Sequence, residues 1–134
     1  MTTQLKQFLL AALSFIVLDF LWLGFVVKKF NLRQLSEIGR IENGDFKILY
    51  TPALIVYVLM GLAVTMFVLP RLEAGNSVLK DFWVGAALGL MVYGVYDMTN
   101  LAILKNYPVQ FALADMAWGT FVFGAVTVVV KKLV

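Results

Sequence analysis

The chain has 134 residues, of which 62% are hydrophobic and 14% are charged, and its formal net charge is +3. Soluble domains carry roughly 25% charged residues, so this composition indicates an integral membrane protein without a soluble module. Cysteine and histidine are both absent. Their absence excludes disulfides, thiol catalysis, serine–histidine nucleophiles and histidine-ligated metal or haem sites. The lysines and arginines flank the apolar runs and form no basic face, so nucleic acid is not an expected partner.

Four apolar runs are long enough to cross a bilayer, because a spanning helix needs about 20 residues. We predict transmembrane helices over residues 8–27, 48–69, 79–104 and 111–130. The first run exceeds the core of a signal peptide and no small-residue cleavage site follows it, so we expect it to be retained. Short links between the later runs require antiparallel neighbours. The predicted fold is therefore all-α: one domain, residues 1–134, with four transmembrane helices in an up-down-up-down bundle.

The first link, residues 28–47, is the one long polar segment. Asn31 is predicted to cap a short helix that ends near Gly39 and lies flat at the membrane interface. Asn43-Gly44 then predicts a tight turn.

The basic residues leave the orientation of the chain open. One membrane side is expected to carry five of them: Lys6, Arg71, Lys80, Lys131 and Lys132. The other side carries six: Lys28, Lys29, Arg33, Arg40, Lys47 and Lys105. The positive-inside rule hardly separates five from six. Either the insertion machinery fixes one orientation despite this weak charge difference, or the chain inserts in both orientations and forms an antiparallel homodimer.

Three aspartates, Asp19, Asp97 and Asp115, lie inside the apolar runs, and no basic residue lies near them to pair with them. The one basic residue within the runs is Lys80, at the start of the third. A carboxylate at membrane depth costs several kcal/mol unless it is protonated, paired or in contact with water. Each lies seven to nine residues from a link on the side of the long loop. The helical rise of 1.5 Å per residue therefore places all three about 10–14 Å from the same face. We predict one polar layer in that leaflet.

Aromatic and amide side chains accompany the three acids. On the third helix a single stripe is formed at three- and four-residue steps by Gly85, Gly89, Tyr93, Tyr96, Asp97 and Asn100. Trp22 and Trp118 each follow an aspartate by three residues, so an indole N–H can donate to a carboxylate of a neighbouring helix. The candidate proton- or ligand-binding residues are Asp19, Asp97, Asp115, Asn100, Thr99, Tyr93, Tyr96, Trp22 and Trp118.

Three carboxyls in one apolar layer are not all ionised without a counter-charge, because desolvation and mutual repulsion both oppose it. Either some are protonated, or a cation sits among them. The structural alternative is that protonated aspartates simply hydrogen-bond to neighbouring helices. No cofactor is expected and no metal is assigned; if one binds, Asp19, Asp97, Asp115 and Asn100 would suit Mg²⁺ or Ca²⁺.

The segment Tyr93-Gly-Val-Tyr96-Asp97-Met-Thr99-Asn100-Leu-Ala, followed by Pro108 and Asp115-Met-Ala-Trp118-Gly119, carries a family resemblance. It resembles the signature of the predicted membrane proteins grouped as domain of unknown function 2177. Asp19 and Trp22 fit as well, so the resemblance extends over nearly the whole chain. It implies a small four-helix protein of the bacterial inner membrane, and it implies no activity.

We favour a protein that binds or transports a small cationic or polar ligand with proton coupling. Its size, helix count and first-helix acid resemble the small multidrug transporters, although no motif is shared. The alternatives are a membrane enzyme that acts on a lipid head group through an aspartate pair, and a non-catalytic accessory or assembly subunit; an enzyme is less favoured. The expected partners are membrane lipids, the small ligand and, under dual insertion, a second copy.

Overall fold

The computed structural model describes residues 1–134 as four long helices with a small helix and a hairpin in the first link. The helices are α1 (Thr3–Leu21), α2 (Lys28–Gln34), α3 (Tyr50–Ala63), α4 (Val78–Ile103) and α5 (Val109–Leu133). The strands are β1 (Ile41–Glu42) and β2 (Asp45–Phe46). Two π-helical turns extend α1 and α3, over Trp22–Val26 and Val64–Val68, and a 3₁₀ turn follows the second, over Leu69–Arg71.

Four helical segments are long and apolar enough to cross a membrane, which confirms the predicted fold class. They cover Thr3–Val26, Tyr50–Arg71, Val78–Ile103 and Val109–Leu133. The first begins five residues before the predicted start. Thr2 explains this, because its hydroxyl oxygen accepts a hydrogen bond from the backbone N–H of Leu5 at 3.2 Å and so caps the helix. Ser77 caps α4 in the same way, accepting from the N–H of Lys80 at 3.2 Å.

We call the membrane side of the first link and of the α4–α5 link the loop face. The side of both chain termini and of the α3–α4 link is called the terminal face. The main hydrophobic core lies toward the terminal face, where α1, α3 and α5 meet. Its buried members are Ala11, Phe15, Met60, Val64, Val68, Val122, Phe123, Val126 and Val130. α1 packs between α3 and α5, and α5 packs between α1 and α4.

The predicted glycine face of α4 packs directly on α5. A Cβ on Gly89 would collide with the backbone carbonyl of Gly119, and a Cβ on Gly119 would collide with the Tyr93 ring. Only glycine therefore permits this approach of the two backbones, as small residues do at close helix crossings. The α4–α5 seam is the most extensive helix contact of the molecule.

The first link differs from its prediction at both ends of its helix. α2 begins at Lys28, so Asn31 lies inside the helix and does not cap it, and α2 ends at Gln34, five residues before Gly39. The reason for the early start is the π turn, which carries the chain from α1 almost directly into α2. The predicted turn at Asn43-Gly44 is confirmed: both residues have positive φ, 54° and 78°, as a two-residue hairpin turn requires.

An ion pair holds this hairpin against α2. The Lys28 ammonium lies 2.8 Å from the carboxylate of Asp45 in β2. The hydrogen bond from the Lys28 ammonium holds the pKa of the Asp45 carboxyl below its usual value. The link is thus an ordered cover at the loop face.

Candidate functional site

Asp19 joins three helices through hydrogen bonds to both of its oxygens. The Trp118 indole N–H of α5 donates to Oδ1 at 2.7 Å, and the Tyr57 hydroxyl of α3 donates to Oδ2 at 3.0 Å. The expected indole–carboxylate bond between neighbouring helices is therefore present for Trp118, whereas the structure shows no such bond for Trp22. Asp19 is buried, and the protein itself satisfies both of its carboxyl oxygens.

The π turn after α1 positions the second tryptophan of the site. Its characteristic bond runs from the N–H of Val27 to the carbonyl of Trp22, five residues back, at 3.0 Å. The rings of Trp22 and Trp118 stack with centroids 4.5 Å apart and an interplanar angle of 2°. Single π turns occur frequently at functional sites, where they re-aim side chains. Here the turn directs the Trp22 indole against Trp118, the residue that donates to Asp19.

Asp97 is in a different situation. Asp97 is 0% exposed, and the Tyr107 hydroxyl donates to its Oδ1 at 2.7 Å. The second oxygen, Oδ2, is buried and has no hydrogen-bond partner. Most buried side-chain polar atoms are paired, because an unpaired one costs about 1–3 kcal/mol. The unpartnered Oδ2 is therefore the unusual feature of Asp97.

Asp115 of α5 is the neighbour of Asp97. The two carboxyls interact directly, and Asp115 also lies within electrostatic range of Asp19. Tyr93 lies within electrostatic range of all three aspartates and of Tyr57. The three acids thus form a satisfied centre at Asp19 and a close carboxyl pair at Asp97 and Asp115.

The remaining predicted residues divide into those that reach this site and those that do not. Asn100 lies beside the Tyr107 hydroxyl, next to Asp97. Tyr96 is 56% exposed, but its hydroxyl also reaches the side chains of Tyr107 and Asn100. Thr99 is exposed, because two residues along a helix from Asp97 correspond to about 200° of rotation. Thr99 thus lies on a different side of α4 from Asp97.

The arrangement of the acidic side chains gives the metal alternative no support. No group of three or more acidic side chains comes close enough to hold a metal ion. The reason is local: Trp118 and Tyr57 occupy both oxygens of Asp19, which leaves only Asp97 and Asp115 adjacent. The predicted set of Asp19, Asp97, Asp115 and Asn100 is not a ligand shell.

Sequence reasoning missed two tyrosines that complete the site. Tyr57 lies ten residues after Lys47 and so at the depth of Asp19, a signal that was available from the sequence. Tyr107 carried no such signal, because it belongs to the α4–α5 link and reaches back ten residues to Asp97. Burial raises the pKa of the Tyr107 phenol, as does its bond to Asp97, so the hydroxyl keeps its proton.

Tyr107 also borders a polar cavity of about 420 Å³ on the loop face. The cavity is lined by Arg33, Gln34, Ser36, Glu37, Asn106, Tyr107 and Pro108. A hydrogen bond of 3.3 Å from the Gln34 side-chain amide to that of Gln110 joins α2 to α5 nearby. One buried phenol therefore connects an open polar surface with the carboxyl pair.

The fold and this site define a multi-pass membrane protein built on four helices. The family model described as predicted membrane protein (DUF2177) matches residues 4–131, so the chain belongs to this family. The resemblance drawn from the sequence motifs is thereby confirmed. No curated protein and no solved structure matches the chain significantly. Since the family description carries no activity, the function has to be argued from the geometry of the site.

Proposed function

We propose that this protein is a small carrier of a bacterial inner membrane that exchanges protons for a small cationic or polar ligand. Asp97 and Asp115 are the proton-binding pair. The observation that carries the proposal is the unpartnered Oδ2 of the fully buried Asp97, which adjoins a second carboxyl.

Two adjacent carboxyls in an apolar surround do not both ionise, because each disfavours the charge of the other and both lose hydration. The proposed pair therefore holds one proton between its two carboxyls. A pair with one proton carries a single negative charge, which a bound cation can neutralise in place of the proton. Competition of proton and cation for Asp97 and Asp115 is the chemical basis of exchange.

The surrounding side chains suit a cation or a ligand with hydroxyl groups. Tyr93 has an aromatic ring and a hydroxyl within electrostatic range of the three aspartates, and aromatic faces attract cations within about 6 Å. Asn100 adds an amide beside Asp97. Asp19, whose oxygens are both satisfied, braces α1, α3 and α5 around the pair.

The test is proton movement in proteoliposomes that have an acidic interior and contain a trapped pH-sensitive dye. Guanidinium, tetramethylammonium and glycerol, added outside in turn, probe three ligand chemistries. We expect at least one of the three to release internal protons. The release should fall to the rate of protein-free vesicles in Asp97→Asn and in Asp115→Asn, since neither amide exchanges a proton.

Asp45→Asn is the matched control, because Asp45 is an exposed loop-face aspartate outside the site, and its variant should keep the wild-type rate. Wild-type vesicles that release no protons with any of the three probes would contradict the proposal. So would full activity of Asp97→Asn. Lipid mass analysis of the same vesicles tests the alternative function. An altered lipid that appears only when Asp97 is intact would show that the protein is an enzyme and not a carrier.

A further inference from the structure

The route from the carboxyl pair toward the terminal face is closed by packing. Below the pair, Gly89 meets the backbone of Gly119, and Phe123 fills the next level at 0% exposure. Val126 and Val130 continue this dry seam along α5 and are also 0% exposed. Thr127, the one buried polar side chain of this seam, donates back to the carbonyl of Phe123 at 2.8 Å. The Thr127 hydroxyl hydrogen is thus engaged in a hydrogen bond to a helix carbonyl, and the seam offers no chain of hydrogen bonds.

The opposite direction is polar. Oδ1 of Asp97 accepts from the Tyr107 hydroxyl, which adjoins Asn100, and the residue Tyr107 also lines the loop-face cavity. A phenol that both donates and accepts can pass a proton between two partners without ionising. Tyr107 therefore links Asp97 to the residues around this cavity.

From this asymmetry we infer that, in the conformation seen here, the Asp97–Asp115 pair exchanges protons with the loop face, and that Tyr107 is the relay and gate between them. Exchange across the membrane then requires a second conformation in which the α4–α5 seam opens toward the terminal face. The inference rests on the proposed function and adds the direction of access. It makes the 420 Å³ cavity the mouth of the site.

The packing of Tyr107 shows why this residue is a gate as well as a relay. Tyr107 is only 7% exposed, and its ring packs edge-on against Phe111 with ring centroids 5.7 Å apart. Leu35, just after α2, and Leu101 of α4 pack against the same cluster. The ring therefore fills the passage between cavity and pair, and a ligand larger than a proton requires α2 to move aside.

Sidedness is tested with dicyclohexylcarbodiimide, which enters from the lipid and modifies protonated carboxyl groups in apolar surroundings. Sealed proteoliposomes are prepared with independent pH values inside and outside. Ile38→Cys, introduced into this cysteine-free chain, reports through an impermeant maleimide which molecules have the loop face outward. Intact mass then gives the carbodiimide adduct on each population, and fragmentation assigns it to Asp97 or Asp115. We expect the adduct to follow the pH at the loop face and to ignore the pH at the terminal face.

The relay is tested by Tyr107→Phe in nanodiscs. After a pH jump, the infrared band of protonated carboxyl groups should appear about 100-fold more slowly than in the wild type, the loss typical for removal of a positioned proton-transfer group. Tyr50→Phe is the control, because Tyr50 is a loop-face tyrosine at 81% exposure, and its variant should respond at the wild-type rate.

Each outcome is decisive. An adduct that follows the pH at the terminal face, or a Tyr107→Phe variant as fast as the wild type, overturns the inference and leaves the carrier proposal standing. The absence of any adduct on Asp97 and Asp115 at every pH removes the proton-binding pair, and with it the proposed function.

Discussion

The three aspartates share a residue type and a region of the fold, but hydrogen bonding gives them different roles. Asp19 has a donor for each oxygen, whereas Asp97 has one oxygen without a partner. A satisfied carboxyl stabilises the helices that it joins, and an unsatisfied one is available for exchange. We therefore expect substitutions at Asp19 to change stability, and substitutions at Asp97 to change function.

Asp19→Ala should lower the free energy of unfolding by about 1–3 kcal/mol, because two interhelical hydrogen bonds are lost and the Trp118 N–H is left buried without an acceptor. Asp19→Asn should lower it by less than about 1 kcal/mol, since an amide can still accept from Trp118 and donate to Tyr57. Unfolding titrations with dodecyl sulfate in mixed micelles measure both values.

Thr99→Ala, at an exposed α4 position, is the control and should leave stability unchanged. Equal losses in the alanine and asparagine variants of Asp19 would show that the carboxyl contributes more than these two hydrogen bonds.

At the residue scale, much of the site follows from the sequence. Acidic residues inside apolar runs are unusual enough to indicate a site, and helical spacing correctly associates Trp118 with a carboxylate of a neighbouring helix. Sequence spacing does not show that Tyr107 folds back from a link onto Asp97. Nor does it show that two donors would take Asp19 out of any metal shell.

At the element scale, the α4–α5 seam positions the pair. Asp97 lies on α4 and Asp115 on α5, so their approach depends on how closely these two backbones pack. Gly89 and Gly119 set that distance, and Tyr93 lies over Gly119. The glycine stripe was predictable as a packing face from its spacing, and the partner helix was not.

Gly89→Ala should destabilise the protein by about 1–3 kcal/mol, the usual cost of forcing an extra group into a packed interface. Its Cβ would meet the backbone carbonyl of Gly119, which has no room to yield. Gly94→Ala on the same helix is the matched control. Its Cβ would meet only the end of the flexible Met116 side chain at 3.4 Å.

The control should be neutral or stabilising by up to about 1 kcal/mol, because alanine is the better helix former. Dodecyl sulfate titrations of the two variants provide the comparison. A Gly94→Ala loss as large as the Gly89→Ala loss would show that the seam is not where the tight approach lies.

At the scale of the whole molecule, the two membrane faces are built differently. The loop face has a cavity beside Tyr107, whereas the terminal face is closed by an ion pair. There Lys131 of α5 contacts the carboxylate of Asp81 at 2.5 Å and donates to the backbone carbonyl of Glu73 at 2.8 Å. Asn76 donates to the other Asp81 oxygen at 3.0 Å, so the α3–α4 link is fastened to both helices.

Asp81→Ala should cost about 1–2 kcal/mol, between the values typical for exposed and for buried ion pairs, since Asp81 is buried and Lys131 is partly exposed. Lys80→Ala, which removes the exposed 3.5 Å pair with Glu73, should cost less than about 1 kcal/mol. A double-mutant cycle of Asp81→Ala with Lys131→Ala isolates the coupling from other effects of each substitution. A coupling of zero would show that this pair does not fasten the terminal face.

The fold class was predictable because it depends on hydrophobic length alone, which a sequence states directly. The orientation of the chain was not, because five basic residues against six give no preference. The asymmetry between the two faces also escaped sequence reasoning. It rests on contacts such as Asp81 with Lys131 and Tyr107 with Asp97, which join residues of different elements.

The π turn at Trp22–Val26 makes the site sensitive to the length of the chain. A π turn accommodates one residue more than an α-helical turn would, so it can be lost by deleting a single residue. Gly24 lies inside it with open space around it, and its removal would let α1 continue as a regular helix. Because the deleted residue is the one that the π turn absorbs, the residues after it would keep nearly their present position. Lys28 would still reach Asp45, and the loop-face cover would still fit. The change would fall on the turn itself: the Trp22 ring would lose the direction that stacks it on Trp118.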